Sequence, residues 1–346
     1  MAAPAPGYAR GDVRSGASMT LDGNGHGRPG DGAATGAGLR HRLLTARSAD
    51  ERDELLATGA VEGLDDGQAV LAALDPAARE RLRGHLGARA ADVVFLGHRD
   101  FYTFPAWALA RLRHEIEERT AGGTRLRLLA EPRWWDRPTD EWEAWVSVEA
   151  VVNAAFGSAP VDLLCSYDES TAPPEVVEAA WHTHPEVVVD GRARHNERYT
   201  DPALYCTRHR ERPLPALPAP VEEHPFAGAT LSSLRRVVAA WATGAGLPDR
   251  RVPELVLAVS EVATNSLRHG GGQGTLRLAA TPAELLVEVQ DAGVITAPFA
   301  GLLPPPRGGD GGHGLWLVHQ LVELVQIRSG PAGSVVRLHV RRGTAS

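Results

Sequence analysis

The stretch SEVATNSLRHG, residues 260–270, closes an apolar run that ends at Gly270. The run predicts a buried helix, because its leucine and valine side chains repeat at helical spacing and glycine is a common stop signal. Glu261, Asn265 and His269 recur every four residues and therefore share one stripe of that helix. The helix, predicted over 253–269, is α9 in chain order, and these three residues are called the α9 stripe. A stripe with an acid, an amide and an imidazole is either a solvated face or a site for a charged ligand.

The length and overall composition limit the class of protein to which the chain can belong. A length of 346 residues with 43% hydrophobic residues predicts two globular domains. The net charge of −7 and the lack of a basic block argue against a general nucleic-acid binder. All 36 basic residues are arginine, so a phosphate site here cannot use lysine. Two cysteines, Cys165 and Cys206, are too few for a disulfide framework and favour a reducing, cytoplasmic setting.

Two segments predict the division of the chain. Residues 1–38 are rich in glycine and alanine and lack the apolar core of a signal peptide, which predicts a disordered tail. Residues 210–220, RERPLPALPAP, contain four prolines and predict a semi-rigid extended linker. Since no stretch approaches 18 uninterrupted apolar residues, no membrane span is expected.

The upstream half, residues 39–209, alternates strand and helix patterns. This order is typical of an α/β domain with a mainly parallel sheet between two helix layers, RecA-like in layout. Strands are predicted at 69–74, 92–97, 125–132 and 161–167, and helices at 75–87, 104–119, 139–157 and 173–184, with Asp75 and Thr139 as N-caps.

The downstream half, residues 221–346, follows a different order and predicts an α+β sandwich with helices on one face of a mixed sheet. Helices are predicted at 229–246, 253–269 and 315–325, and strands at 274–280, 284–291, 326–329 and 334–342.

Two further motifs accompany the α9 stripe. Asp291 and Gly293 lie where a strand ends, and a carboxylate there can accept from the amine of adenine while the glycine lets a base approach the backbone. The segment GGHGL, 311–315, opens a helix, whose free N–H groups and dipole favour phosphates. On the stripe, the amide oxygen of Asn265 suits Mg²⁺, and Glu261 one turn away is placed to act as a general base. Each motif alone is weak evidence, but all three in this order are much less likely to occur by chance.

These residues resemble the GHKL (Bergerat-type) ATPase fold over 221–343. VSEVATNSLRHG together with GGHGLWLV is most similar to the RsbW-like anti-sigma-factor serine kinases of actinobacteria. The resemblance implies ATP and Mg²⁺ as cofactors, and a serine or threonine of a STAS anti-anti-sigma protein as substrate. It also implies a sigma factor as partner, and a homodimer is common in the group.

The same resemblance implies a role for each residue of the nucleotide site. Glu261 would be the catalytic base, Asn265 the Mg²⁺ ligand and Asp291 the adenine reader. The other nucleotide-binding candidates that it implies are His269, Gly293, Gly312, His313, Gly314 and Leu315. His313 is expected to offer only its backbone, and His269 is either near the phosphates or a helix-end cation. The resemblance also implies a short lid over the ATP, here the proline-led segment PPPRGGDGGHG, 304–314, whose Arg307 is a further candidate for the γ-phosphate.

The upstream half resembles the MEDS sensory domain over about 39–205, through RHRLLTARSADE, LLAEPRWW, AWVSVEAVVNAAF and VDLLCSYDES with AWHTHPEV. It contains no GxxxxGK[ST] motif, so the resemblance implies a sensor for an unknown small, hydrocarbon-derived ligand rather than a second ATPase.

Other polar and aromatic residues in this half leave alternatives open. The set His182, His184, Cys206 and His209 has no zinc-like spacing and favours a helix-end imidazole over a metal site. Cys165 lies in an apolar strand and predicts inert core. The tryptophans at 134, 135, 142 and 145 favour core packing, with an aromatic wall for an apolar ligand as the alternative.

Three functions fit these observations. The first is a sensor-regulated anti-sigma factor and serine/threonine kinase. The second is a nucleotide-gated binding protein without catalysis. The third is a two-component histidine kinase, which needs a phosphoacceptor histidine on a helix before the ATPase; the helix at 229–244 has none.

Overall fold

The structure is a computed structural model that describes residues 38–208, 210, 212–305 and 312–342. The predicted tail up to residue 37, His209 and Arg307 lie outside the described residues. All described residues fall in one compact unit, Gly36–Ser346.

The N-terminal half is built on a seven-stranded sheet of order β3-β2-β4-β5-β1-β6-β7. Its strands are β1 (Arg40–Ala46), β2 (Ala69–Ala73), β3 (Val93–Phe95), β4 (Leu126–Ala130), β5 (Val161–Asp168), β6 (Glu186–Val189) and β7 (Arg192–His195). All neighbouring pairs are parallel except β6 with β7. The predicted mainly parallel α/β architecture is confirmed.

Helices cover both faces of this sheet. They are α1 (Ala49–Asp65), α2 (Pro76–Leu86), α3 (His98–Phe101), α4 (Pro105–Thr120), α5 (Thr139–Phe156), α6 (Pro174–Thr183) and α7 (Pro202–Thr207). Successive strand residues point to opposite layers: Leu163 packs in the core under α4, α5 and α6, and Leu164 in the core under α1 and α2. Because the central strands β2, β4 and β5 are buried on both faces, their sequences are mainly apolar runs rather than alternating patterns.

Local predictions in this half had mixed outcomes. Asp75 caps α2 as predicted, since its carboxylate accepts from the amides of Ala77 and Ala78. Thr139 as N-cap of α5 is wrong, because the cap position is Pro138 and no described side chain caps that end. The strand β1 was not predicted, because its arginines and histidine hide the apolar pattern of a buried strand.

The C-terminal half contains a five-stranded sheet of order β11-β12-β10-β9-β8. Its strands are β8 (Glu222–Ala227), β9 (Gln273–Ala280), β10 (Glu284–Asp291), β11 (Leu324–Gly330) and β12 (Gly333–Arg341). Every neighbouring pair is antiparallel, so the expectation of a mixed sheet is wrong. β8, which precedes the helices, was not predicted.

Three helices pack on one face of this sheet: α8 (Leu231–Gly244), α9 (Val252–His269) and α10 (His313–Leu321). Strand alternation separates the two faces, with Val287 and Val289 in the shared core and Glu288 paired with Arg337 on the other side. α10 ends earlier than predicted, because Leu324 already belongs to β11. The α+β sandwich of a GHKL-like ATPase is confirmed.

Ion pairs join the two halves. The guanidinium of Arg328 on β11 donates to both carboxylate oxygens of Glu143 on α5, each at 2.8 Å. Arg341 on β12 donates to Glu141 on α5 at 2.7 Å. A bidentate arginine–carboxylate pair fixes orientation as well as distance, so α5 is held in register with the last two strands. None of the described helices is long and apolar enough to span a membrane.

Candidate nucleotide site

The α9 stripe meets the first turn of α10. A Cβ built on Gly314 would lie 2.9 Å from Oε2 of Glu261 and 3.4 Å from Nδ2 of Asn265. Any larger residue at this position would force the carboxylate of Glu261 or the backbone of α10 to shift. The packing of α10 on α9 therefore brings the helix motif and the glycine-rich motif, which are far apart in sequence, to one place.

The first turn of α10 presents free backbone donors. Gly312 occupies the cap position with φ of 87°, and no side chain among the described residues caps this end. The side chain of His313 is exposed, and Leu315 packs against the core between helices and sheet. The N–H groups of this turn and the positive end of the helix dipole thus belong to the same turn of α10 that approaches Glu261.

Asp291, the last residue of β10, is held from two sides. Its Oδ2 accepts from the hydroxyl of Ser266 at 2.5 Å, and its Oδ1 accepts from the amide of Gly293 at 2.7 Å. Each carboxylate oxygen has a second lone pair, so the half-buried group can still accept from a ligand. A Cβ on Gly293 would lie 2.5 Å from the carbonyl oxygen of His269, which explains the glycine.

His269 therefore enters this region through its backbone. It is the last residue of α9, its side chain is exposed, and its carbonyl lies against the turn after β10. Ser266, which follows Asn265 and belongs to the buried face of α9, links this helix to Asp291.

Sequence reasoning missed the serines that anchor this turn. Besides Ser266, the hydroxyl of Ser334 donates to the carbonyl of Gly293, and the amide of Ile295 donates to Ser329. The two strand serines contact each other at 2.8 Å. The available signal was a polar residue on a core face, since buried hydroxyls require hydrogen-bond partners.

The described residues of the alternative metal site, His182, His184 and Cys206, have separate contacts and do not form a metal site together. His182 contacts the carbonyl of Arg198 at 2.9 Å and Glu178 at 3.2 Å, whereas Cys206 lies near the carbonyl of Ser147. His184 is buried and faces a different set of residues, described below.

The tryptophan cluster lies in the core. Trp134, Trp135 and Trp145 are buried, and Trp142 packs against them, which confirms core packing. The indole N–H groups of Trp135 and Trp145 have no hydrogen-bond partner among the described residues.

Comparisons with known proteins agree with this architecture. Residues 40–185 match the family described as MEDS, the MEthanogen/methylotroph, DcmR Sensory domain. Residues 225–340 match the family described as histidine kinase-like ATPase domain. Two domains are recognised: a MEDS sensory domain and a histidine kinase-like ATPase. Domains of the second family bind ATP, typically with Mg²⁺.

Solved structures show only distant likeness. The crystal structure of the RsbU and RsbW domains of Rv1364c from Mycobacterium tuberculosis matches with 19% identity and a TM-score of 0.28, over 36% of this chain and 33% of that chain. The histidine kinase AdeS of Acinetobacter baumannii matches with 12% identity and a TM-score of 0.21, over 41% of this chain and 76% of that one. This chain thus spans about one third of the Mycobacterium protein. No curated protein has significant sequence similarity to it.

Proposed function

We propose that this protein is a sensor-regulated anti-sigma factor and serine/threonine kinase, which phosphorylates a STAS anti-anti-sigma protein with ATP. The observation that carries the proposal is the approach of Gly314 to both Glu261 and Asn265. A carboxylate, an amide oxygen and a helix N-terminus then meet at one point, which is the set of groups that phosphoryl transfer requires.

In the proposed reaction Glu261 accepts the proton of the substrate hydroxyl. The hydroxyl oxygen forms a bond to the γ-phosphorus, and the bond from that phosphorus to the β,γ-bridging oxygen breaks, which leaves ADP and a phosphoserine or phosphothreonine. A general base of this kind contributes about 10²- to 10⁴-fold to the rate. The half-buried position of Glu261 on α9 leaves its carboxylate accessible to the side chain of a partner protein.

The remaining groups bind rather than react. Mg²⁺, when bound, would neutralise charge on the phosphates, and the amide oxygen of Asn265 is a suitable hard ligand. The amides of Gly312, His313, Gly314 and Leu315 would hold phosphate oxygens. Asp291, fixed by Ser266 and Gly293, would accept from the adenine amine.

Contacts between the halves support regulation by the sensor. Arg210, the first residue after the N-terminal half, donates to the carbonyls of Ile295 and Pro298, on the segment between Asp291 and the lid. Phe299 and Leu302 on that segment pack against the N-terminal core. A ligand that repacks this core would therefore shift the segment that leads into the nucleotide lid.

The test is a transfer assay with the full chain, γ-labelled ATP, Mg²⁺ and candidate STAS proteins from the same genome. Label on one serine or threonine of a STAS partner is the expected result, with none on a variant in which that residue is alanine. ATP binding without transfer to any of these partners would instead indicate the nucleotide-gated binding protein. Label on a histidine of this chain would indicate a histidine kinase.

A further inference from the structure

Four ionisable side chains converge in the core of the N-terminal half, away from the nucleotide site. They form the His–Glu–Cys cluster: His41 on β1, Glu149 on α5, Cys165 on β5 and His184 directly after α6. All four are buried, and their ligand atoms lie within 4.8 Å of one another. His41 and Cys165 lie on the same sheet face because Leu43, two residues after His41, pairs with Cys165.

Hydrogen bonds fix which ring nitrogen of each histidine faces the centre. Nδ1 of His184 is 2.8 Å from the carbonyl oxygen of Ala180, an acceptor only, so this nitrogen carries the proton. Nδ1 of His41 is 3.1 Å from Oδ1 of Asn153, whose Nδ2 donates to the carbonyl of Thr183 at 2.7 Å. Because Nδ2 of Asn153 is the atom that donates to Thr183, the atom that faces His41 is the amide oxygen Oδ1. An amide oxygen only accepts, so His41 also donates from Nδ1.

Both Nε2 atoms thus present lone pairs to the centre. A protonated Nδ1 held by an amide or carbonyl oxygen is the usual arrangement of metal-binding histidines. Nε2 of His184 is fully buried and has no hydrogen-bond partner among the described residues. A buried nitrogen lone pair left unmatched is costly, so this atom indicates a missing electrophile.

Three separations between ligand atoms are close to those around one tetrahedral ion. Nε2 of His41 is 3.4 Å from Sγ of Cys165, and Oε2 of Glu149 is 3.7 Å from Nε2 of His41 and 3.6 Å from Nε2 of His184. The two carboxylate contacts are too long for hydrogen bonds. Tetrahedral Zn²⁺ with bonds of about 2.0 to 2.3 Å separates neighbouring ligand atoms by roughly 3.3 to 3.6 Å.

Charge supports the same conclusion. All four side chains of the cluster are buried, so an isolated charge is strongly disfavoured here. A thiolate and a carboxylate carry two negative charges, which one divalent cation neutralises. Thiolate and imidazole together favour zinc over the oxygen-preferring magnesium and calcium.

We propose that the His–Glu–Cys cluster binds one Zn²⁺ ion, with His41, Glu149, Cys165 and His184 as its ligands and Asn153 as the residue that positions His41. The ion ties the centre of the sheet to α5, the helix whose Glu143 and Glu141 hold the ATPase half.

The test uses the full chain produced in zinc-supplemented medium, dialysed, and analysed by elemental mass spectrometry. About one zinc per chain is expected, and Co²⁺ in its place should show visible tetrahedral bands with a thiolate-to-cobalt band in the near ultraviolet. Cys165→Ser should abolish the thiolate band, whereas Cys206→Ser, the matched control at the other cysteine, should keep it. His184→Gln should lower zinc affinity at least about 100-fold, and His182→Gln should leave it unchanged.

Asn153→Ala should weaken zinc binding about 10- to 100-fold. Asn153→Asp should weaken it less, because a carboxylate still accepts from Nδ1 of His41 although it no longer donates to the carbonyl of Thr183. Less than about one tenth of an ion per chain, or cobalt bound without a thiolate band, would overturn the proposal. The cobalt spectrum of the unmodified chain decides alone if the ligand variants do not fold. Glu261→Gln should keep the zinc, so this proposal and the kinase proposal fail separately.

Discussion

The α9 stripe and the His–Glu–Cys cluster both gather polar side chains, but they are built in different ways. Glu261 and Asn265 come from adjacent turns of one helix and are half-buried. The cluster takes one residue from each of four places in the N-terminal half, and all four are buried. A half-open site suits a substrate that enters and leaves, whereas a closed one suits a resident ion.

The comparison also separates two kinds of regulation. The proposed nucleotide site depends on α10 and on the segment before it. That segment bonds to Arg210 and packs against the core of the sensor half through Phe299 and Leu302. The cluster depends on β1, β5 and α5, which form the centre of that half. Variants that disturb one region and spare the other therefore test whether they are independent.

The largest effect is expected for Glu261→Gln. Loss of the proposed base should lower phosphoryl transfer about 10²- to 10⁴-fold while ATP affinity stays within about threefold, since glutamine keeps the shape without accepting the proton. Single-turnover transfer and ATP titration measure the two quantities. Glu254→Gln, at the exposed start of the same helix, is the control and should transfer normally. Loss of ATP binding in Glu261→Gln would contradict the base role.

Gly314→Ala should follow, with about 10²-fold slower transfer. Its Cβ would lie 2.9 Å from Oε2 of Glu261, so α10 or the carboxylate must move. Gly244→Ala, where a Cβ meets no described atom within 4 Å, is the matched control in α8. Equal transfer rates in the two variants would show that the close approach is irrelevant to catalysis.

Acid sensitivity should come in part from His319 on α10, between the two halves. Burial lowers its pKa to about 4, while a bonded carbonyl of Ala300 opposes the shift. In the unfolded chain the pKa of this histidine is near 6.5, so between pH 6.5 and 4 only the unfolded chain takes up this proton. The free energy of unfolding therefore decreases as the pH is lowered through this range. The loss attributable to His319 should be about 2 kcal/mol between pH 7 and pH 5.

Urea unfolding of wild type and His319→Gln at both pH values measures that difference, because the contribution of the other histidines cancels. Charged side chains line the same cavity, namely Glu143, Arg210, Glu323 and Arg328. Glu143 is paired with Arg328, and Glu323 with Arg251, so their charges are compensated. An identical pH dependence in both proteins would rule out His319 as the source.

The smallest effect is expected for Ser266→Ala. Asp291 would lose one of its two protein donors, at a cost of roughly 1 kcal/mol, which weakens ATP binding about fivefold. Zinc content should not change. Ser233→Ala on the exposed face of α8 should leave ATP affinity at the wild-type value. A wild-type ATP affinity in Ser266→Ala would mean that Gly293 alone holds Asp291.

Much of the fold follows from local pattern. The strand runs around Leu128 and Leu163 and the helix of the α9 stripe were predicted because apolar spacing reports burial directly. β1 was missed because Arg40 and Arg42 point to carboxylates, Asp162 and Glu186, that only the neighbouring strands supply. The all-antiparallel arrangement of the second sheet was missed because two of its pairings, β8 with β9 and β10 with β12, join strands that are distant in sequence.

The sequence by itself determined the α9 stripe, the turn at Asp291 and the glycines before α10, because each lies within one short segment whose geometry is set by helix or strand periodicity. Only the tertiary structure decided that Gly314 lies against Glu261 and that four distant residues meet in the His–Glu–Cys cluster. The physical reason is that sequence spacing reports neighbours along one element, whereas contacts between elements depend on how sheets and helices pack.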